Sequence, residues 1–174
     1  VERLLDLPHR GHTTLSWSLN PPSVARQFED NVPSVEARIK AMIRCANAGY
    51  PVRAVIMPII LAPDWERAYD TFLRDLLARV PIERLTLGGI CSYRHALHLM
   101  ERYLGRDHAI SRNLQPKSIA GDGRIRYTPE SRVRAYAALL ETARKTRPDL
   151  EVALCLEEVA VRQCIHEHWK LGRC

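Results

Sequence analysis

The sequence predicts an α/β protein with a parallel sheet, its strands alternating with helices. Three observations carry this. Short apolar runs at 52–57, 85–90 and 152–156 read as strands, and the nearly continuous run at 52–57 reads as one covered on both faces. Amphipathic stretches of ten or more residues separate them, as right-handed crossovers between parallel strands require. Prolines and glycines stand at the junctions.

The first strand spans 13–19 (TTLSWSL), with Leu15, Trp17 and Leu19 on one face and Ser16 and Ser18 on the other. Asn20-Pro21-Pro22 stops it, because proline cannot continue a central ladder. A helix follows, with Ser34 as N-cap and Glu36 in the first turn. Val35, Ile39, Met42, Ile43 and Ala46 share its apolar face, and Gly49 ends it. The strand at 52–57 closes on Pro58. Asp64 is placed to cap a helix whose face carries Trp65, Tyr69, Phe72, Leu73 and Leu76. The strand at 85–90 ends on Gly88-Gly89, and the helix after it stops at Gly105. Residues 106–127 read as a long polar connection. Thr128 and Pro129 open a further helix. A strand at 152–156 and a weak helix at 158–169 complete the chain. Four parallel strands leave two unpaired edges. A small doubly wound domain tolerates that, and half of a larger (β/α) barrel accommodates it more naturally.

The chain has 174 residues, enough for a single α/β domain over 1–174 with a sizeable core. Apolar residues make up 46% and charged residues 26%, an ordinary globular composition. No apolar run reaches the ~20 residues of a membrane span, so no membrane partner is expected. Residues 1–7 lack a signal-like apolar stretch, and because the chain starts with Val1 rather than Met the true N-terminus is expected upstream. The five cysteines are odd in number and widely spaced, which fits a reducing cytoplasm rather than a disulfide framework.

The net charge is +6, and 22 of the 26 basic residues are arginine, the planar cation suited to phosphate. Residues 101–134 hold eight basic against four acidic side chains, with Tyr103, Tyr127 and Tyr136 nearby for base stacking. The segment, which includes Lys117, reads either as a surface that grips nucleic acid or as a solvated basic loop.

Parallel α/β proteins bind ligands at the carboxyl ends of their strands. That rim would hold Ser18, Asn20, residues 58–62, Gly88, Gly89, Cys91, Ser92 and Glu157. Ser16 and Ser18 either face a ligand or bond to neighbouring backbone. Gly88-Gly89 is either a tight turn or a close approach to a ligand. Cys91 is either a buried structural thiol or a reactive one, and a hydrolase pairing it with His95 or His98 lacks an evident oxyanion loop. Cys164, His166, His168 and Cys174 do not form the paired short spacings of a structural zinc site, so no metal site is assigned.

The segment LSWSLNPPSVARQFE (15–29) resembles the spore photoproduct lyase family, a branch of the radical S-adenosylmethionine enzymes. Its serine-containing SxN strand end is followed by Phe28-Glu29, then by AGYP at 48–51, Pro58-Ile59 and the W-x-x-x-Y pair Trp65 and Tyr69. Later come Arg126-Tyr127 and Arg132. The resemblance runs over about 13–156, in order and spacing.

It implies the C-terminal half of a partial (β/α)6 TIM-like barrel. The intact enzyme would use a [4Fe-4S] cluster and S-adenosylmethionine to make a 5′-deoxyadenosyl radical, which repairs a thymine photoproduct in UV-damaged DNA. Ser16, Ser18 and Asn20 would lie near S-adenosylmethionine, and Arg124, Arg126 and Tyr127 along the DNA. The family's cluster-binding CxxxCxxC lies upstream and is absent from this sequence. The resemblance therefore implies an incomplete fragment that does not hold a cluster or catalyse alone. No catalytic residue is assigned. The alternative expectation is a non-catalytic, basic nucleic-acid-binding α/β module.

Overall fold

The computed structural model describes residues 1–114 and 122–172. Lys117 of the basic segment and Cys174 of the rejected zinc set lie outside the described residues. The chain begins with a single turn, α1 (Glu2–Leu5), then β1 (Leu15–Ser18), α2 (Pro22–Phe28), α3 (Val35–Asn47), β2 (Val52–Ile59), α4 (Trp65–Arg79) and β3 (Arg84–Gly89). It continues through β4 (Cys91–Tyr93), α5 (Arg94–Leu104), α6 (Ala109–Asn113), β5 (Arg124–Arg126), α7 (Pro129–Thr146), β6 (Glu151–Leu154) and α8 (Val159–His166).

The predicted capping chemistry explains two of the long helices. Ser34 accepts a hydrogen bond from the Ala37 amide, and Thr128 accepts one from Ser131 with Pro129 in the first turn. Asp64 does occupy the N-cap position of α4, but its side chain makes no capping bond. Its carboxylate pairs with Arg67 instead, at 3.2 Å. Gly49 follows α3 with φ +86°, a conformation glycine adopts without steric cost.

The main sheet has the order β1-β2-β3-β6, and every pairing is parallel. The order never reverses. Right-handed crossovers therefore lay their helices against the same face. On that face Ala54, Ile56, Leu85, Leu87 and Val152 are fully buried. The helices α4 and α7 contribute fully buried side chains, among them Leu73, Leu76 and Leu140.

The opposite face differs from expectation. The run at 52–57 predicts a strand covered on both sides. Instead Ser16 and Ser18 are exposed, and Arg53, Val55, Met57, Arg84 and Thr86 are only half-buried. The register places Ser16 beside Arg53 and Arg53 beside Arg84. The strand order is not that of a doubly wound sheet, and among the described residues no helix crosses on this side.

The region read as one polar connection contains two elements. The short helix α6 lies within it, and β5 pairs antiparallel with β4, bringing Cys91 opposite Arg126 and Tyr93 opposite Arg124. Three-residue strands some thirty residues apart give no periodicity to read. No described helix is long and apolar enough to cross a membrane.

One close approach is set by glycine. A Cβ added to Gly88 would lie 2.6 Å from Met57 Sδ and 2.8 Å from its Cγ. Gly88→Ala should destabilise the protein by about 1–3 kcal/mol, the range for overpacking. A lower urea midpoint at unchanged slope is the expected result.

Candidate functional site at the carboxyl ends of the strands

The strand ends are held by three polar assemblies, and each fixes a different part of the rim.

The first lies at the end of β1. Ser16 and Ser18 expose their hydroxyls on the open face, and Ser18 Oγ lies 3.5 Å from the Met57 carbonyl. Asn20 turns the other way and is 3% exposed. Its Nδ2 donates to Glu29 at 3.2 Å, and its Oδ1 accepts from the Tyr69 hydroxyl at 2.9 Å. That hydroxyl accepts from the Ile60 amide. Burial pushes the Tyr69 phenol far above its usual range, so it stays a proton donor. Arg38 spans Glu29 at 2.6 Å and the Ser18 carbonyl at 2.9 Å. Asn20 thus holds the strand end in place, while the serines face outward.

The second assembly joins the ends of β3 and β6. The side chains of Arg132 and Glu157 are each 2% exposed and form an ion pair. Arg132 also donates to Glu158 at 2.6 Å and to the Tyr127 carbonyl at 2.9 Å. Glu157 accepts from the Tyr136 hydroxyl at 2.7 Å, and that hydroxyl accepts from the Gly89 amide at 2.8 Å. Burial, then the adjacent Glu157 charge, raises the Tyr136 phenol far above its usual range. Every charge in this cluster has a partner, the condition under which a buried ion pair is tolerated.

The third assembly is the β4–β5 ribbon. Arg124 donates to the Tyr93 hydroxyl at 3.4 Å and stacks over its ring at 5.6 Å. It also approaches Cys91 Sγ at 3.9 Å. Arg126 is buried and bonds both oxygens of Asp122, at 2.9 and 2.7 Å. Those bonds hold the Asp122 carboxyl well below its ordinary range. Arg126 also donates to the Leu156 carbonyl at 3.2 Å.

The predicted nucleic-acid contacts therefore separate. Arg124 keeps 29% of its side chain exposed. Arg126 is buried, and so is Tyr127, whose hydroxyl accepts from the Leu61 amide. Tyr136 is buried as well. Only Tyr103 of the three tyrosines is free to stack, at 82% exposure. Burial overrides the surface reading because aromatic rings and a paired guanidinium complete the core beneath the ribbon. Arg132, counted in the basic segment, is likewise an interior cation. The pair Glu157-Glu158 directly after a strand was the available sequence signal for it.

Beside the ribbon is an apolar cavity of about 300 Å³ lined by Met57, Pro58, Gly89, Cys91, Leu97 and Met100. Cys91 is half-buried, and its described contact is Arg124 rather than His95 or His98. Cys45 is fully buried, which raises its thiol pKa. Cys45, Cys91 and Cys164 lie on α3, β4 and α8 and Cys155 just after β6, and no three metal-ligating side chains converge among the described residues. These residues do not fit a [4Fe-4S] cluster. The exposed serine hydroxyls do suit the polar groups of S-adenosylmethionine.

The family model for spore photoproduct lyase matches residues 1–91. The chain belongs to the spore photoproduct lyase family. The spore photoproduct lyase of Bacillus subtilis (strain 168) is 35% identical over 81 residues, which are 47% of this chain and 24% of that protein. The corresponding lyase of Geobacillus sp. (strain Y412MC61) is 36% identical over 76 residues, 44% of this chain and 22% of that protein.

A solved spore photoproduct lyase complexed with dinucleoside spore photoproduct matches with a TM-score of 0.75 and 23% identity. It covers 88% of this chain and 48% of its own. A double mutant of the lyase with bound AdoMet and dinucleoside spore photoproduct matches with a TM-score of 0.73 and 23% identity, over 87% of this chain and 47% of that one. The chain thus spans about half the length of the solved lyases it matches. It shares their α/β fold with a parallel sheet.

The buried ion pair gives a stability prediction. Arg132→Met leaves Glu157 buried without its cation and should cost about 3–5 kcal/mol. Arg132→Met combined with Glu157→Leu should recover part of that loss, as read from urea unfolding of the single and double variants.

Proposed function

We propose that this chain is the carboxyl-terminal wall of a partial (β/α)6 barrel in a radical S-adenosylmethionine lyase that repairs UV-damaged DNA. The family match over residues 1–91 carries this reading. An exposed, polar sheet face on a parallel sheet supports it, because such sheets are ordinarily covered on both sides. In a barrel that face points inward.

S-adenosylmethionine and a [4Fe-4S] cluster supply the radical chemistry when bound. The cluster would be held by residues outside this chain, whose sequence has no CxxxCxxC. Within the chain, Ser16 and Ser18 bind the polar groups of S-adenosylmethionine through their hydroxyls. Asn20 acts with Glu29, Arg38 and Tyr69 to keep that strand end in register. Arg124 meets a DNA phosphate, and Arg126 and Tyr127 support the ribbon that carries it. Phosphate contact positions the duplex without reading its sequence.

The test uses the full product of the gene. Ser16→Ala and Ser18→Ala should each weaken S-adenosylmethionine binding about tenfold, the upper range for one lost hydrogen bond. Arg124→Ala should weaken binding to damaged and undamaged duplexes alike and lower the salt slope by about one. Strong salt-dependent DNA binding that ignores S-adenosylmethionine and both serine substitutions would contradict the reading and favour a non-catalytic binding module.

A further inference from the structure

Leu156 follows β6 at the rim with φ +52°. This left-handed region crowds the Cβ of an L-residue, and glycine, asparagine and aspartate are the residues that occupy it readily. Of the other non-glycine residues with positive φ, Asn31 and Asp64 are of that kind, and Arg10 stands in a turn before Gly11. At Leu156 the conformation is imposed from both sides. The Cys155 amide donates to the Leu87 carbonyl at 2.8 Å. The Leu156 carbonyl accepts from Arg126, itself locked to Asp122. Glu157, the next residue, is fixed in the buried ion pair with Arg132.

The side chain returns little to the fold that strains it. Leu156 is 47% exposed and stands outside the packed core. Glycine or asparagine would satisfy this backbone better. A strained, clamped residue that projects an apolar group from a binding rim is the pattern of a ligand contact.

We infer that Leu156 is a specificity-determining contact for the substrate, packing its isobutyl group on the apolar ring face of a pyrimidine lesion held at the rim. The inference rests on the function proposed above. Through Arg126 the leucine is hydrogen-bonded to the same ribbon that presents Arg124, so one assembly offers an apolar contact for a base and a cation for a phosphate.

The experiment measures binding of a lesion-containing oligonucleotide and its undamaged counterpart to the full product of the gene, together with thermal stability. Leu156→Gly relieves the φ strain and removes the contact. It should weaken binding of the damaged strand about tenfold, as expected for one lost apolar side chain. Binding of the undamaged strand should be unchanged, and the melting temperature should hold or rise. Leu156→Met keeps an apolar group and should retain most of the discrimination. If the parent protein discriminates the lesion and Leu156→Gly discriminates equally well, the inference is overturned. A lower melting temperature with unchanged lesion binding overturns it too, by assigning Leu156 to packing. If the parent protein fails to discriminate the lesion, the proposed function falls first and the inference with it.

Discussion

A parallel sheet whose strands are added in one direction can be helix-covered on only one side. The order β1-β2-β3-β6 imposes that constraint here, and much of the molecule follows from it. Apolar residues of α3, α4 and α7 share one buried core with Ala54, Ile56, Leu85 and Leu87. The other side keeps Ser16, Ser18, Arg53, Arg84 and Thr86 near solvent. The Nε of Arg53 is buried without a hydrogen-bond partner. A polar, half-covered face is unusual for a parallel sheet, and the proposed barrel would turn it inward.

The same topology gathers the strand ends into one rim, and buried polar chemistry keeps that rim rigid. Tyr69 and Asn20 secure β1 against α2 and α4. Tyr136, Arg132 and Glu157 secure β3 and β6 against α7. Arg126 and Asp122 secure the ribbon. Each assembly uses a side chain with several donors or acceptors to satisfy backbone groups where regular structure stops. The outward-facing groups, Ser16, Ser18, Arg124 and Leu156, stand on these supports. In the proposed site such supports would set the geometry before ligand arrives and lower the ordering cost of binding.

Much of the sheet and the long helices was legible in the sequence. Ser34, Thr128-Pro129 and the apolar spacing of 65–76 are local signals, and local signals survive folding. The one-sided covering was not legible, because Val55 and Met57 are apolar yet sit on the open face. The β4–β5 ribbon was not legible either, since Cys91–Tyr93 and Arg124–Arg126 find each other only in three dimensions. For the candidate site, the serines were placed correctly on the face opposite Leu15 and Trp17. The basic segment misled: Arg126 and Arg132 look like surface cations until Asp122 and Glu157 are seen beside them. A charge count reports composition, and burial depends on partners brought from elsewhere in the chain.

The central claim is that the exposed face of the sheet is an interior surface that receives S-adenosylmethionine. Thiol labelling of Ser18→Cys in the full product of the gene tests it most directly, with Ser23→Cys on the exposed side of α2 as reference and peptide mapping to separate the native cysteines. The account predicts that position 18 reacts much more slowly than position 23, and that S-adenosylmethionine slows position 18 further while leaving position 23 unchanged. Equal labelling at both positions, indifferent to S-adenosylmethionine, would contradict it.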